Sequence, residues 1–277
     1  MTGMKAATSD KYRIGFIGAG KLAGSIIRGL VRAKFCSPAE ILASEPYAEA
    51  RETLKRELGI SVTTENAEVA KKAGTILIGV KPGVALSVVS ELAALIADKQ
   101  MISLAAGVRA ASMEAKANAR FMRAMTNTPS AICQAATAIA RGARTTDRDM
   151  ELAREIFDAI GVVVELQEEQ IDGVTALAGS GPAFVYTVIE ALADGGTKCG
   201  LPSDVSLQLA TQTVLGAAQL ALESKLSPNE LRKMVATPGG TTAAGLALME
   251  KEGTAKSLSA AVEAAARRGQ EMALENL

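Results

Sequence analysis

Histidine is absent from this chain. That removes histidine general bases, Ser-His-Asp triads and His-ligated metal sites from the chemistries open to it, and no metal is expected. Tryptophan is absent too, and aromatic residues make up only 3%, so there is little here to stack on nucleic-acid bases. Neither sign of charge is in excess. Thirty Lys and Arg balance thirty Asp and Glu, and no long-range field draws the chain to nucleic acid or to an anionic membrane. The three cysteines, Cys36, Cys133 and Cys199, are isolated and form no CxxC. Neither a zinc site nor a disulfide framework is indicated. Small buried hydrophobes are their expected role, and a reducing, cytoplasmic setting fits. No signal peptide is visible: residues 1–11 are polar, lack an apolar centre and read as a loose tail. The long uncharged run Val205 to Leu222 contains Gln208, Gln212 and Gln219. It is more polar than a membrane span should be. A buried helix is the expectation, with a subunit interface as one place for it.

What is present begins with Arg13-Ile14-Gly15-Phe16-Ile17-Gly18-Ala19-Gly20-Lys21-Leu22-Ala23. An apolar strand runs into Gly-x-Gly-x-x-Ala. Leu22, Ala23, Ile26, Ile27, Leu30 and Val31 then mark one face of a helix. Gly18 allows the tight strand-to-helix turn, Gly20 lets backbone approach a pyrophosphate, and Ala23 lets the helix pack closely on the strand. Phosphates would meet free N–H groups at the helix start, so the expected ligand is a dinucleotide.

Strands are predicted at Arg13–Ile17, Ile41–Ser44, Thr75–Val80 and Met101–Ala105, with a shorter one at Phe121–Met125. Helices are predicted at Lys21–Ala33, Tyr47–Leu58 and Gly83–Ile96. This alternation argues for an α/β fold, a mostly parallel sheet with helices on both faces. Strands at Thr137–Arg141 and Val162–Leu166 should flank a helix that starts near Asp147. Strand signals end near Asp172. From there the sequence reads as helices: Ala183–Gly195, Ser203–Leu222, Pro228–Val235, Thr242–Lys251 and Ser257–Glu275. The reading is a dinucleotide-binding Rossmann domain over residues 12–171 and an all-helical domain over 172–277.

Sheet ligands bind at the carboxyl ends of strands, which selects the candidate residues. Ala43-Ser44-Glu45-Pro46 ends the second strand. An acid there accepts hydrogen bonds from the ribose diol of NAD and repels the 2′-phosphate of NADP, by roughly 1.7 kcal/mol at about 5 Å in water. Alternatively Glu45 points outward and Ser44 faces the ribose. Val80-Lys81-Pro82 should border the cofactor, and Ala105-Ala106-Gly107 is small enough for a close nicotinamide. A second glycine turn, Thr237-Pro238-Gly239-Gly240-Thr241-Thr242, presents N–H groups and hydroxyls at a helix start and suits a carboxylate.

The chain resembles the pyrroline-5-carboxylate reductases over nearly its whole length. The resemblance rests on the first glycine turn, on Val80-Lys81-Pro82 and on Arg123-Ala124-Met125-Thr126-Asn127-Thr128-Pro129. It rests also on Gly179-Ser180-Gly181-Pro182-Ala183-Phe184, on Glu190-Ala191-Leu192-Ala193-Asp194-Gly195-Gly196 and on Pro238-Gly239-Gly240-Thr241-Thr242. It implies hydride transfer from NADPH or NADH to 1-pyrroline-5-carboxylate, giving L-proline, the last step of proline biosynthesis. It implies a helical domain that interlocks with a second subunit in a homodimer, commonly assembled into a homodecamer. The substrate would lie between the nicotinamide and the second glycine turn. Thr237, Gly240, Thr241 and Thr242 would hold its carboxylate, and the Thr242 hydroxyl, as catalytic group, would reach the ring nitrogen. Asn66 would stand beside the adenosine ribose, Ser44 near the 2′-phosphate, and Ser180 and the Lys81 stretch at the nicotinamide end. Ile17, Ala19, Lys21 and Leu22 complete the implied cofactor turn. Two residues depart from the family pattern. Thr126 stands where the family carries proline, and Glu45 where a neutral or basic residue is usual. Other two-domain dehydrogenases place a catalytic lysine in the helical domain. Lys198 and Lys225 are the nearest candidates here, and neither sits in a matching motif.

Overall fold

A computed structural model describes residues 11–275. The expected tail at 1–11 lies outside this range except for Lys11. In chain order the first part runs β1 (Tyr12–Ile17), α1 (Lys21–Arg32), β2 (Ile41–Ser44), α2 (Ala48–Leu58), β3 (Ser61–Thr63), α3 (Asn66–Lys72), β4 (Ala73–Ile78) and α4 (Pro82–Leu92). It continues through β5 (Gln100–Ser103), α5 (Ala110–Glu114), β6 (Arg120–Met125), β7 (Ala135–Arg141), α6 (Asp147–Asp158) and β8 (Gly161–Glu165). After α7 (Ile171–Val174) the chain is helical: α8 (Gly181–Lys198), α9 (Ser203–Glu223), α10 (Pro228–Val235), α11 (Thr241–Lys251) and α12 (Thr254–Glu275).

The strands form one sheet in the order β3-β2-β1-β4-β5-β6-β7-β8. Among the described residues only the β6–β7 pairing is antiparallel. Beyond it, β7 and β8 pair in parallel, joined by α6. Strand alternation builds two cores. Phe16, Leu77, Ile102 and Met122 face α1 and α6 on one side. Ile17, Ile76, Met101 and Phe121 face α3, α4 and α5 on the other. A sheet buried on both faces needs near-continuous apolar strands, and these sequences supply them.

The predicted strands are present, with shifted ends. β4 starts at Ala73 and stops at Ile78, so Gly79 and Val80 belong to the turn after it. β5 ends at Ser103 rather than Ala105. α4 stops at Leu92, four residues short of expectation. The sequence reading missed β3, α3 and α5. β3 has three residues, too few for an alternation to register, and α3 is seven residues with two terminal lysines. Of the three cysteines only Cys36 is buried. Cys133 is half-buried and Cys199 exposed, which corrects the expectation of three buried thiols.

Two compact units divide the described chain. One runs to Ser180 and resumes at Ala265; the other is Gly181–Ala264. In the second unit α8 and α9 form a hairpin through Gly200, whose φ of +97° permits the reversal. Ser206 and Ala210 are the buried residues of α9. Leu207, Leu209, Leu215, Leu220 and Leu222 of the same helix are exposed in the single chain. The expected buried helix is therefore not buried by its own chain. The run Glu168–Lys198 is likewise long and apolar enough to cross a membrane by length and composition, with mean hydropathy 1.3 and only 11% of its window buried.

Candidate active site

Strand order reverses between β1 and β4, and a cleft of about 840 Å³ opens at that edge. This is where open α/β sheets bind ligands. Gly18 has φ +84°. A Cβ there would sit 2.8 Å from the Val80 amide nitrogen, and one at Gly79 would sit 2.7 Å from the Gly18 carbonyl oxygen and 2.8 Å from the Ala23 Cβ. The two turns and α1 are thus packed to the limit of bare backbone and a methyl group. Gly20 differs. It has ordinary backbone angles, and a Cβ on it would meet nothing within 4 Å. The fold leaves that space open. No side chain caps α1, so the first-turn amides of Lys21, Leu22 and Ala23 keep their donor capacity. An open approach at Gly20 and an uncapped helix start fit a pyrophosphate.

Gly18, Ala19, Gly20, Lys21, Glu45, Val80 and Lys81 line the cleft. Lys81 is exposed at the start of α4, whose first residue is Pro82. Ile17 is buried in the core below, and Leu22 packs half-buried against the other core. The expected pair Ala105 and Ala106 follows β5, one strand further along the same sheet edge than β4. Tyr47, which the sequence reading passed over, also lines the cleft and is 73% exposed.

The end of β2 shows which way Glu45 points. Its side chain is buried, not turned to solvent. Oε2 accepts the Ala19 N–H at 3.1 Å and Oε1 accepts the Tyr47 N–H at 3.2 Å. The outward-facing alternative is thereby overturned. Ser44 points into the sheet, where its hydroxyl donates to Asn66 Oδ1 at 2.7 Å. The two expected ribose-end residues, Ser44 and Asn66, are brought together, but as partners of each other.

The strand-end loop with Thr126 in place of proline is tied down by side chains. The Thr126 and Thr137 hydroxyls lie 2.7 Å apart, buried. Asn127 donates to the Ala178 carbonyl at 3.1 Å and accepts the Ala136 N–H. Ala178 lies in a π-helical turn, Thr175–Gly179, that leads into Ser180. Ser180 is half-buried and its hydroxyl donates to the Thr175 carbonyl at 3.3 Å.

Below that turn lies a charge cluster the sequence reading missed. Arg123 on β6 is 1% exposed, with Glu168 and Asp172 each 3.5 Å away. Arg109 reaches Asp172 at 3.1 Å, and the Ala110 N–H donates to Glu168. The one available signal was an arginine at the centre of a strand that, after its first residue Arg120, is otherwise apolar.

In the second unit the Thr237–Thr242 turn takes the expected form. Gly239 has φ +73° and the Gly240 N–H donates to the Thr237 carbonyl at 3.0 Å. Gly240 is the N-cap of α11, and no side chain caps that helix. First-turn amides at Thr241 and Thr242 are therefore open to an anion. Among the described residues no cluster of three or more His, Cys, Asp or Glu could hold a metal.

Residues 168–272 match the family model for pyrroline-5-carboxylate reductase dimerisation, and residues 13–107 match that for NADP oxidoreductase, coenzyme F420-dependent. A pyrroline-5-carboxylate reductase of Glycine max is 41% identical over 266 residues, 95% of this chain and 97% of that protein. One from Methanosarcina acetivorans is 40% identical over 95% of this chain and 98% of its own. The crystal structure of Plasmodium falciparum pyrroline carboxylate reductase with NADP bound superposes with a TM-score of 0.87 at 27% identity, over 95% of this chain and 99% of that one. The helical part, with its leucines bare in the single chain, is a dimerisation domain. An α/β sheet with a glycine turn at its switch point, followed by that helical domain, places this chain in the pyrroline-5-carboxylate reductase family.

Proposed function

We propose that this protein reduces 1-pyrroline-5-carboxylate to L-proline with NADPH or NADH, the last step of proline biosynthesis. The observation that carries the reading is the pairing, in one chain of this family, of two uncapped glycine-turn helix starts: α1 for a pyrophosphate and α11 for a carboxylate.

The nicotinamide supplies the hydride when bound. The protein's part is orientation. A protonated C=N carbon is already electrophilic, so positioning can do most of what is needed, and the lack of histidine is no obstacle. Gly240, Thr241 and Thr242 hold the substrate carboxylate with amides and hydroxyls. The Thr242 hydroxyl serves the ring nitrogen, and Ser180 belongs to the nicotinamide end. A homodimer assembled further into a homodecamer is the proposed form, supported by the apolar surface of the helical domain. A reducing, cytoplasmic setting is proposed with it, in keeping with three unpaired cysteines.

The purified protein is expected to oxidise reduced nicotinamide only when pyrroline carboxylate is added, with proline formed in equal amount. Folded protein that turns over neither cofactor would end this reading. Thr242→Ala should fold normally and lose about 1–3 kcal/mol of transition-state stabilisation, read from kcat/KM, because one directed hydroxyl is removed. Unchanged kinetics would reduce Thr242 to a residue of the helix start.

A further inference from the structure

We infer that Glu45 makes this chain select the dinucleotide whose adenosine ribose carries a free 2′-hydroxyl, NADH, over the 2′-phosphorylated form. The inference rests on the dinucleotide reading of the α1 cleft. It adds which ribose that cleft takes.

Three observations converge at the end of β2. First, the Glu45 carboxylate is fixed at the glycine turn. It is 5% exposed, each oxygen accepts one backbone N–H, from Ala19 and from Tyr47, and it lines the cleft. An ionised carboxylate has about four acceptor positions. Two are taken here, and two remain for the hydroxyls of a ribose diol. Second, the alternative residue is occupied. The Ser44 hydroxyl is buried, with the Phe16 carbonyl at 3.3 Å and, as its nearer partner, Asn66 Oδ1 at 2.7 Å. To serve a 2′-phosphate it would have to abandon that partner. Third, two carboxylates stand in the cleft together with the lysines at the glycine turn and after β4, Lys21 and Lys81. Glu49 lines the cleft beside Glu45. Arg51, six residues after Glu45, puts Nη1 on the carbonyls of Glu45 and Pro46 at 2.7 and 2.8 Å. Arg28, also in the lining, pairs with Glu57 at 2.8 Å. A dianionic phosphate brought to Glu45 meets a fixed carboxylate that cannot swing away without leaving the buried Ala19 amide unpaired and giving up the Tyr47 amide.

The test uses the full-length protein. Calorimetry measures Kd for NAD and NADP, and steady-state assays measure kcat/KM for NADH and NADPH. The expected result is at least a tenfold preference for the non-phosphorylated form in both. Glu45→Ser should shift the binding ratio towards the phosphorylated form by about 100-fold, since a charged hydrogen-bond acceptor is lost and a repulsion removed. Glu45→Gln keeps an acceptor for the Ala19 amide, so it guards against misfolding and should shift the same ratio by about tenfold. Equal affinities, or tighter binding of NADP by the native chain, would overturn the inference while leaving the reductase intact. Failure of the folded native chain to bind either dinucleotide would overturn the underlying reading as well.

Discussion

Gly20→Val is expected to leave the fold standing while raising the dissociation constant for either dinucleotide by at least about 100-fold. The two halves of this expectation have different causes. A Cβ at Gly20 would meet no atom within 4 Å, and the backbone there, φ −64° and ψ −164°, suits any residue. The stability change should therefore stay below about 1 kcal/mol, mostly from valine's poor fit as an N-cap. The same empty space is where backbone must come close to the pyrophosphate. A branched side chain would hold the phosphates off the first-turn amides of α1, and losing about 3 kcal/mol of such contacts is a 100-fold loss of affinity. Thermal melting and calorimetry on one sample separate the two effects. Undiminished affinity would mean that the glycine turn is only a turn.

The second large effect should be structural. Asp172→Ala removes a carboxylate that is 3.5 Å from Arg123 and 3.1 Å from Arg109. Arg123 is 1% exposed, so its guanidinium would be left charged in the interior with only Glu168, 3.5 Å away, to answer it. Breaking one side of a buried pair costs about 3–5 kcal/mol. The denaturant midpoint should fall accordingly with little change in slope. Arg109→Ala removes a partner that is 34% exposed on the same carboxylate and should cost far less, about 1 kcal/mol. If Asp172→Ala costs under 1 kcal/mol, water has replaced the lost oxygen atoms. Asp172 begins the segment that leads through the π-helical turn to Ser180, so the variant should also blunt turnover in whatever protein remains folded.

These two sites differ in how far the sequence disclosed them. The glycine turn was legible because its parts are contiguous: strand, Gly18, Gly20 and the face of α1 lie within twenty residues. The strands were legible because a sheet covered on both sides needs unbroken apolar runs. β3 and α3 were not, being too short and too polar for either period to register. Glu45 was legible as a candidate, but its orientation depends on amides of Ala19 and Tyr47 brought together by folding, 26 residues apart in one case. Arg123 gave the least warning. Its carboxylates lie 45 and 49 residues further along, and nothing local in β6 announces them.

The leucines on the outer faces of α9 carry a consequence for how the protein is kept in supply. Where a second copy covers these residues, the last step of the protein's maturation is bimolecular. Its durability is then governed by abundance as well as by sequence. A cell that makes little of it holds more half-assembled chains, each presenting sticky surface to proteases and chaperones. Substitutions on that surface, far from any substrate, would act as changes in dosage.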